Sequence, residues 1–158
     1  MGSAALGPMG EKTRLLSVGA GLIGLVAAVV VGIFGQEIVR RLMPSNKRVI
    51  SQATLSQLAS EMNRKLPMMA DRDTEVTSTI GLEGMFVYNY RLLNQRAEDV
   101  DPSWLVQTVR PLIVNAACST PGTRDTLLKF GVTMRYMYYD QNRRFIAMVD
   151  VTPKDCGF

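Results

Sequence analysis

Histidine is absent from all 158 residues, and the chain carries only two cysteines and one tryptophan. Without imidazole, the commonest general base and neutral metal ligand is missing. Serine- and cysteine-hydrolase triads of the usual kind are thereby excluded. Cys118 and Cys156 without histidine make a poor zinc set, and no C-x-x-C occurs. Neither G-x-x-x-x-G-K-S/T nor G-x-G-x-x-G is present, so phosphate-loop and dinucleotide chemistry are excluded as well. Gly19-Ala20-Gly21 begins such a pattern and does not complete it. Asp71, Asp73 and Glu75 alternate as D-x-D-x-E, but the glycine and the later bidentate glutamate of an EF-hand loop are missing. These three read as turn and strand-entry carboxylates. No catalytic residue, no metal and no cofactor is expected.

Charge of either sign is modest. Lys and Arg number 18 against 14 Asp and Glu, a formal +4 with a pI near 9.3. Much of the excess flanks one apolar run: Lys12 and Arg14 precede it, and Arg40, Arg41, Lys47 and Arg48 follow. Cations placed so suit lipid headgroups, and no basic stretch interleaved with aromatics suggests nucleic acid.

From Leu15 through Gly35 no side chain is charged. A helix of about 20 residues spans roughly the 30 Å hydrocarbon core of a bilayer. The run is longer than a signal-peptide apolar region, and no A-x-A-like site closes it. The expected organisation is a disordered cytoplasmic tail over 1–14, a transmembrane helix over 15–36, a juxtamembrane linker over 37–48 and a periplasmic domain over 49–158. The cation count on the two flanks points the domain toward the cytoplasm. The cysteine pair and the short tail point it outward, and N-inside, C-outside is the orientation taken. Within the span Ala20, Gly24, Ala28 and Gly32 recur every fourth residue, a small-residue face along which a second helix, from this chain or another, can approach.

The remaining chain alternates helix and strand patterns. Leu55, Leu58, Ala59, Met62 and Leu66 form a helical stripe that Ser45 or Asn46 can cap and Pro67 ends. Two strand-like runs, 75–80 and 85–92, flank a turn over Gly81 to Gly84, with Phe86, Tyr88, Tyr90 and Leu92 on one face. Asp101 and Pro102 start a second helix with Leu105, Val109, Leu112, Ile113 and Ala116 inward; Pro111 predicts a kink or break near Val109. Val132 to Thr152 read as a second hairpin, with Asn142-Arg143 standing where a turn glycine is usual. The fold class expected is α+β: one antiparallel sheet of about four strands, made of two hairpins, packed against two or three helices.

An even pair of cysteines behind an export-type segment fits one disulfide, the alternative being two unrelated reduced thiols. The combination LPMMADRDTEVTST, FVYNYRLLN and VRPLIVNAACSTPGTRDTLLKFGVTMRYMYYDQNRRFIAMVDVTPKDC, covering Lys65 to Cys156, resembles small exported or membrane-anchored bacterial proteins with a C-terminal Cys…Cys α+β domain. That resemblance implies an envelope location and a Cys118–Cys156 bridge, and no activity.

Together these features predict a single-pass protein of the bacterial inner membrane. It would act as a non-enzymatic accessory or interaction subunit of an envelope complex, serving secretion, transport or a similar task. Its partners would be the lipid bilayer, other envelope proteins and, through the transmembrane helix, a second copy. The alternative is a periplasmic ligand-binding or sensing domain using an aromatic sheet face, Tyr88, Tyr90, Tyr136 and Tyr138, with Arg91 or Arg135.

Overall fold

The computed structural model describes residues 49–158. The expected tail, the expected transmembrane helix with its Ala20, Gly24, Ala28 and Gly32 face, and the whole of the expected linker lie outside the described residues. Among those described, no helix is long and apolar enough to cross a membrane.

Helix α1 (Gln52–Asn63) starts one step after Ser51, whose hydroxyl accepts from the Thr54 N–H. That cap replaces the expected Ser45 or Asn46 and satisfies one orphan donor of the first turn. After a short strand β1 (Met68–Met69) come β2 (Thr74–Leu82) and β3 (Met85–Leu92). Their turn is narrower than Gly81 to Gly84: Leu82 pairs with Met85, and only Glu83 and Gly84 lie between, with Gly84 at φ 66°. Gly81 is a strand residue opposite Phe86.

Helix α2 (Pro102–Ser119) opens on Asp101, whose carboxylate accepts from the N–H groups of Ser103 and Trp104. Of the kink or break expected near Val109, the break does not occur; the helix runs on through Pro111. Pro111 and Gln107, whose carbonyl loses its partner, are both exposed, so water can serve that carbonyl. On the opposite side Val109 and Ile113 are fully buried. At about 2 kcal/mol for each such side chain, packing offsets the roughly 3 kcal/mol a proline costs. A one-turn helix α3 (Pro121–Arg124) and a 3-10 turn lead to the hairpin β4 (Thr133–Tyr139) and β5 (Phe145–Val151).

The sheet has five strands in the order β1-β2-β3-β4-β5. Both expected hairpins form, but the sheet is mixed, not antiparallel, because β3 and β4 pair in parallel from Met85↔Thr133 to Arg91↔Tyr139. Length explains this. An 18-residue helix covers about 27 Å and an 8-residue strand about 26 Å, so α2 carries the chain back to the start of β3. Strand β4 must then run in the same direction, through the crossover that parallel pairing requires.

One face of the sheet is covered: α1 lies chiefly over β2, and α2 over β5. Between the layers sits one core of Leu55, Leu58, Val76, Phe86, Val109, Ile113, Met134, Val149 and their neighbours. Cys118, near the end of α2, is bonded to Cys156 in the final 3-10 turn, with Cα atoms 5.3 Å apart, so the expected bridge is present.

Candidate functional site

The covered face takes the aromatic side chains. Tyr88, Tyr90, Tyr136 and Tyr138 are all buried, with Tyr88 stacked on Tyr136 at 5.5 Å and Tyr90 on Tyr138 at 5.4 Å. Burial, aided by neighbouring phenols, pushes the hydroxyls of Tyr88 and Tyr90 well above their ordinary range, and burial does the same for Tyr136 and Tyr138. They form the centre of the core. Arg91 and Arg135 lie on the other face, at register positions alternating with the tyrosines. The six residues expected to form one ligand or partner face therefore do not share a face: the four tyrosines lie in the core and the two arginines on the opposite side of the sheet.

The uncovered face is organised by a bulge. Val76 pairs with Tyr90 and Ser78 with Asn89, leaving Thr77 extra; its hydroxyl donates to the Asn89 carbonyl. One inserted residue shifts the alternation by one. Val76 and then Thr79 point into the core, while Ile80 and Leu82 are turned outward and left 46% and 42% exposed.

Four rows then cross the open face in register. Glu75, Arg91, Tyr139 and Phe145 form the first; Ser78, Asn89, Met137 and Met148 the second; Ile80, Val87, Arg135 and Asp150 the third; Leu82, Met85 and Thr133 the fourth. Cross-strand charges neutralise each other along the rows. Arg91 reaches Glu75 at 2.5 Å, and Arg135 forks onto both Asp150 oxygens at 2.8 Å, a hydrogen bond that raises the guanidinium further above its ordinary range. Ile80, Phe145 and Met148, each about half exposed, add apolar surface.

A recess of about 580 Å³ opens on this face, walled by Ile80, Met137, Tyr139, Glu75 and Arg91 and rimmed by Arg143. The loop that presents Arg143 is held by Asp140, a carboxylate with no exposed surface. Asp140 accepts from the N–H groups of Ala97, Asn142 and Arg144 and from the Arg144 guanidinium at 2.8–3.0 Å. Burial alone would raise its carboxyl; those four donors outweigh it and hold the group down at about 2. The turn is thus not a tight two-residue one. It is pinned on a buried carboxylate, and Arg143 within it takes a left-handed φ of 65°. The sequence shows large residues on both faces of the second hairpin, one to meet the helices and the other left as a ligand or partner surface, but not which is which; burial of Tyr136 and Tyr138 decides it.

Asp71, Asp73 and Glu75 each accept a different hydrogen bond: Asp71 from the Asp73 N–H, Asp73 from Asn94, and Glu75 from Arg91. No group of three such residues among those described could hold a metal ion.

No protein-family model matches the chain, and no curated protein matches it. Solved structures do. A candidate secreted protein of Pseudomonas aeruginosa aligns with a TM-score of 0.59 at 16% identity, covering 72% of this chain and 99% of its own. A pilotin of the Vibrio vulnificus type 2 secretion system aligns with a TM-score of 0.55 at 17% identity, covering 77% of this chain and 97% of its own. A type II secretion system pilotin from Vibrio cholerae gives 0.51 at 15% identity, covering 76% and 96%. At such identities the likeness is one of fold: a small α+β domain shared, over nearly the whole length of each neighbour.

Proposed function

We propose that the protein is a non-enzymatic, membrane-anchored accessory subunit of a bacterial envelope secretion complex. The observation that carries this reading is architectural. Two solved structures that match over almost their full length are pilotins of type 2 secretion systems, and a third neighbour is a candidate secreted protein. The Cys118–Cys156 bridge is in keeping with an oxidising compartment and so supports the part of this reading that puts the domain on the periplasmic side of the inner membrane. The uncharged run from Leu15 to Gly35 supplies the anchor, and its Ala20, Gly24, Ala28 and Gly32 face offers a contact to a second transmembrane helix, from this chain or a partner.

Cross-linking the full-length protein in its native membrane, followed by identification of what is captured, tests the reading. Secretion-complex components are the expected yield. Recovery of the monomer alone would overturn it. Replacing Gly24 and Ala28 by leucine tests the helix contact: assembly should weaken while the protein stays in the membrane fraction.

A further inference from the structure

Two arginines, Arg91 and Arg143, and one glutamate, Glu75, line the recess on the open sheet face. Arg91 and Glu75 neutralise each other. Arg143 makes no ion pair among the described residues and leaves the recess with one uncompensated positive charge. Arg91 also keeps its Nε buried without an acceptor among the described residues, an arrangement that costs free energy until one arrives. Beside these donors, Ile80, Met137 and Tyr139 supply an apolar wall.

The backbone adds a second observation. Arg143 sits at φ 65°, where glycine is favoured and a side chain carries a steric cost. Asp140 holds the loop in that shape, and the outcome is that Arg143 lines the recess. Strain of this kind concentrates where a side chain has a task.

On the reading that this is an accessory subunit, we propose that the recess receives a segment of a partner protein presenting a carboxylate beside large apolar side chains. Arg143 and Arg91 take the carboxylate, and Ile80, Met137 and Tyr139 take the apolar groups. A singly charged carboxylate suits the site better than a phosphate dianion, which Glu75 would repel more strongly. An anionic bilayer is a poorer fit still, since lipid surfaces are recognised by clusters of about four to eight cations, whereas here one uncompensated guanidinium stands beside a carboxylate.

The test uses the full-length chain in phosphatidylcholine nanodiscs, titrated with a fluorescent decapeptide of alternating leucine and glutamate, with its leucine/glutamine counterpart, and with phosphatidylglycerol vesicles. The Leu/Glu peptide should bind, and the Leu/Gln peptide should bind about tenfold more weakly or worse, the scale of one charge-assisted contact. Arg143→Gly should weaken Leu/Glu binding by about the same factor. Its melting temperature should be unchanged or raised, because glycine takes this φ freely. That stability readout separates loss of the guanidinium from loss of the fold. No binding of the Leu/Glu peptide, equal affinity for both peptides, or binding indifferent to Arg143→Gly would each overturn the proposal. So would vesicle binding that Arg143→Gly abolishes, which assigns the site to lipid, or a dimer that it dissociates, which assigns it to a second copy. Capture of secretion components by a protein that fails these titrations would sink this proposal and leave the accessory-subunit reading standing.

Discussion

Gly81 lies directly against the backbone of Leu55: a Cβ placed on it would fall 2.1 Å from the Leu55 carbonyl carbon and 2.2 Å from the carbonyl oxygen. Around this contact α1 is stitched to β2 by polar bonds. Ser56 donates to the Gly81 carbonyl at 3.1 Å, and Asn63 acts as a strand neighbour, donating to the Thr79 carbonyl at 2.9 Å and accepting from the Thr79 N–H at 2.7 Å. At Gly81 the helix backbone meets the strand with no side chain between them.

Gly81→Ala should therefore destabilise the domain by about 2 kcal/mol, in the range of overpacked core substitutions. The obstacle is backbone and cannot rotate away. Urea denaturation checks this, with Gly84→Ala as a comparison that meets no neighbour and tests only the left-handed φ. Loss confined to Gly84→Ala would remove the close-approach account.

The disulfide closes a loop with a sequence separation of 38. On the chain-entropy account such a loop is worth about 4 kcal/mol. Cys118→Ser and Cys156→Ser should each lower stability by about that amount, and a reductant should lower the native protein's to the same level. A reduced protein as stable as the oxidised one would contradict this. Near the bridge, Arg110 pairs with Asp155 at 2.8 Å, so the C-terminal turn keeps a second, weaker tie to α2.

Helix α1, the start of α2, both hairpins and the cysteine pair were legible in the sequence because each is encoded locally: a helical stripe at Leu55, Leu58, Ala59 and Met62, the Asp101-Pro102 cap, strict alternation from Phe86 to Leu92. Three decisive features are not local. Parallel pairing of β3 with β4 depends on the length of α2, the outward turn of Ile80 depends on one extra residue at Thr77, and the role of Gly81 depends on where α1 lands. Which face of the sheet the helices cover was also hidden, since Met137 and Tyr139 are as large as Tyr136 and Tyr138. That choice made the tyrosines core and left the arginines outside.

Asp140 gives the domain an acid-sensitive point. Its carboxyl, at about 2 in the folded protein against an ordinary 3.8, is depressed by folding. A depressed carboxylate contributes stability that is fully present above its unfolded value and is lost as pH falls through its folded one. Stability should hold above about pH 4 and fall toward pH 2, with Asp155, also near 2 through its bonds to Thr152 and Arg110, adding to the same slope. Asp140→Asn should reduce stability at neutral pH, because an amide nitrogen would face donors. It should also flatten the slope between pH 4 and 2 by about one proton, measured by acid titration of circular dichroism. A variant with the native slope would show that Asp140 is not the group titrating.

The tyrosine stack carries one polar atom that the fold does not serve. The Tyr90 hydroxyl is buried and has no hydrogen-bond partner among the described residues, while its ring stacks on Tyr136 and Tyr138. An unsatisfied buried hydroxyl costs about 1–3 kcal/mol, and removing it leaves the ring contacts in place. Tyr90→Phe should accordingly leave the domain as stable as before or raise its stability by about 1 kcal/mol. Tyr90→Leu, which keeps the burial but abolishes the stack, should lower it. A Tyr90→Phe variant weakened by as much as Tyr90→Leu would mean that the hydroxyl, and not the ring, holds this part of the core. The phenol would then be polar structure in its own right and no longer one of four interchangeable apolar plates.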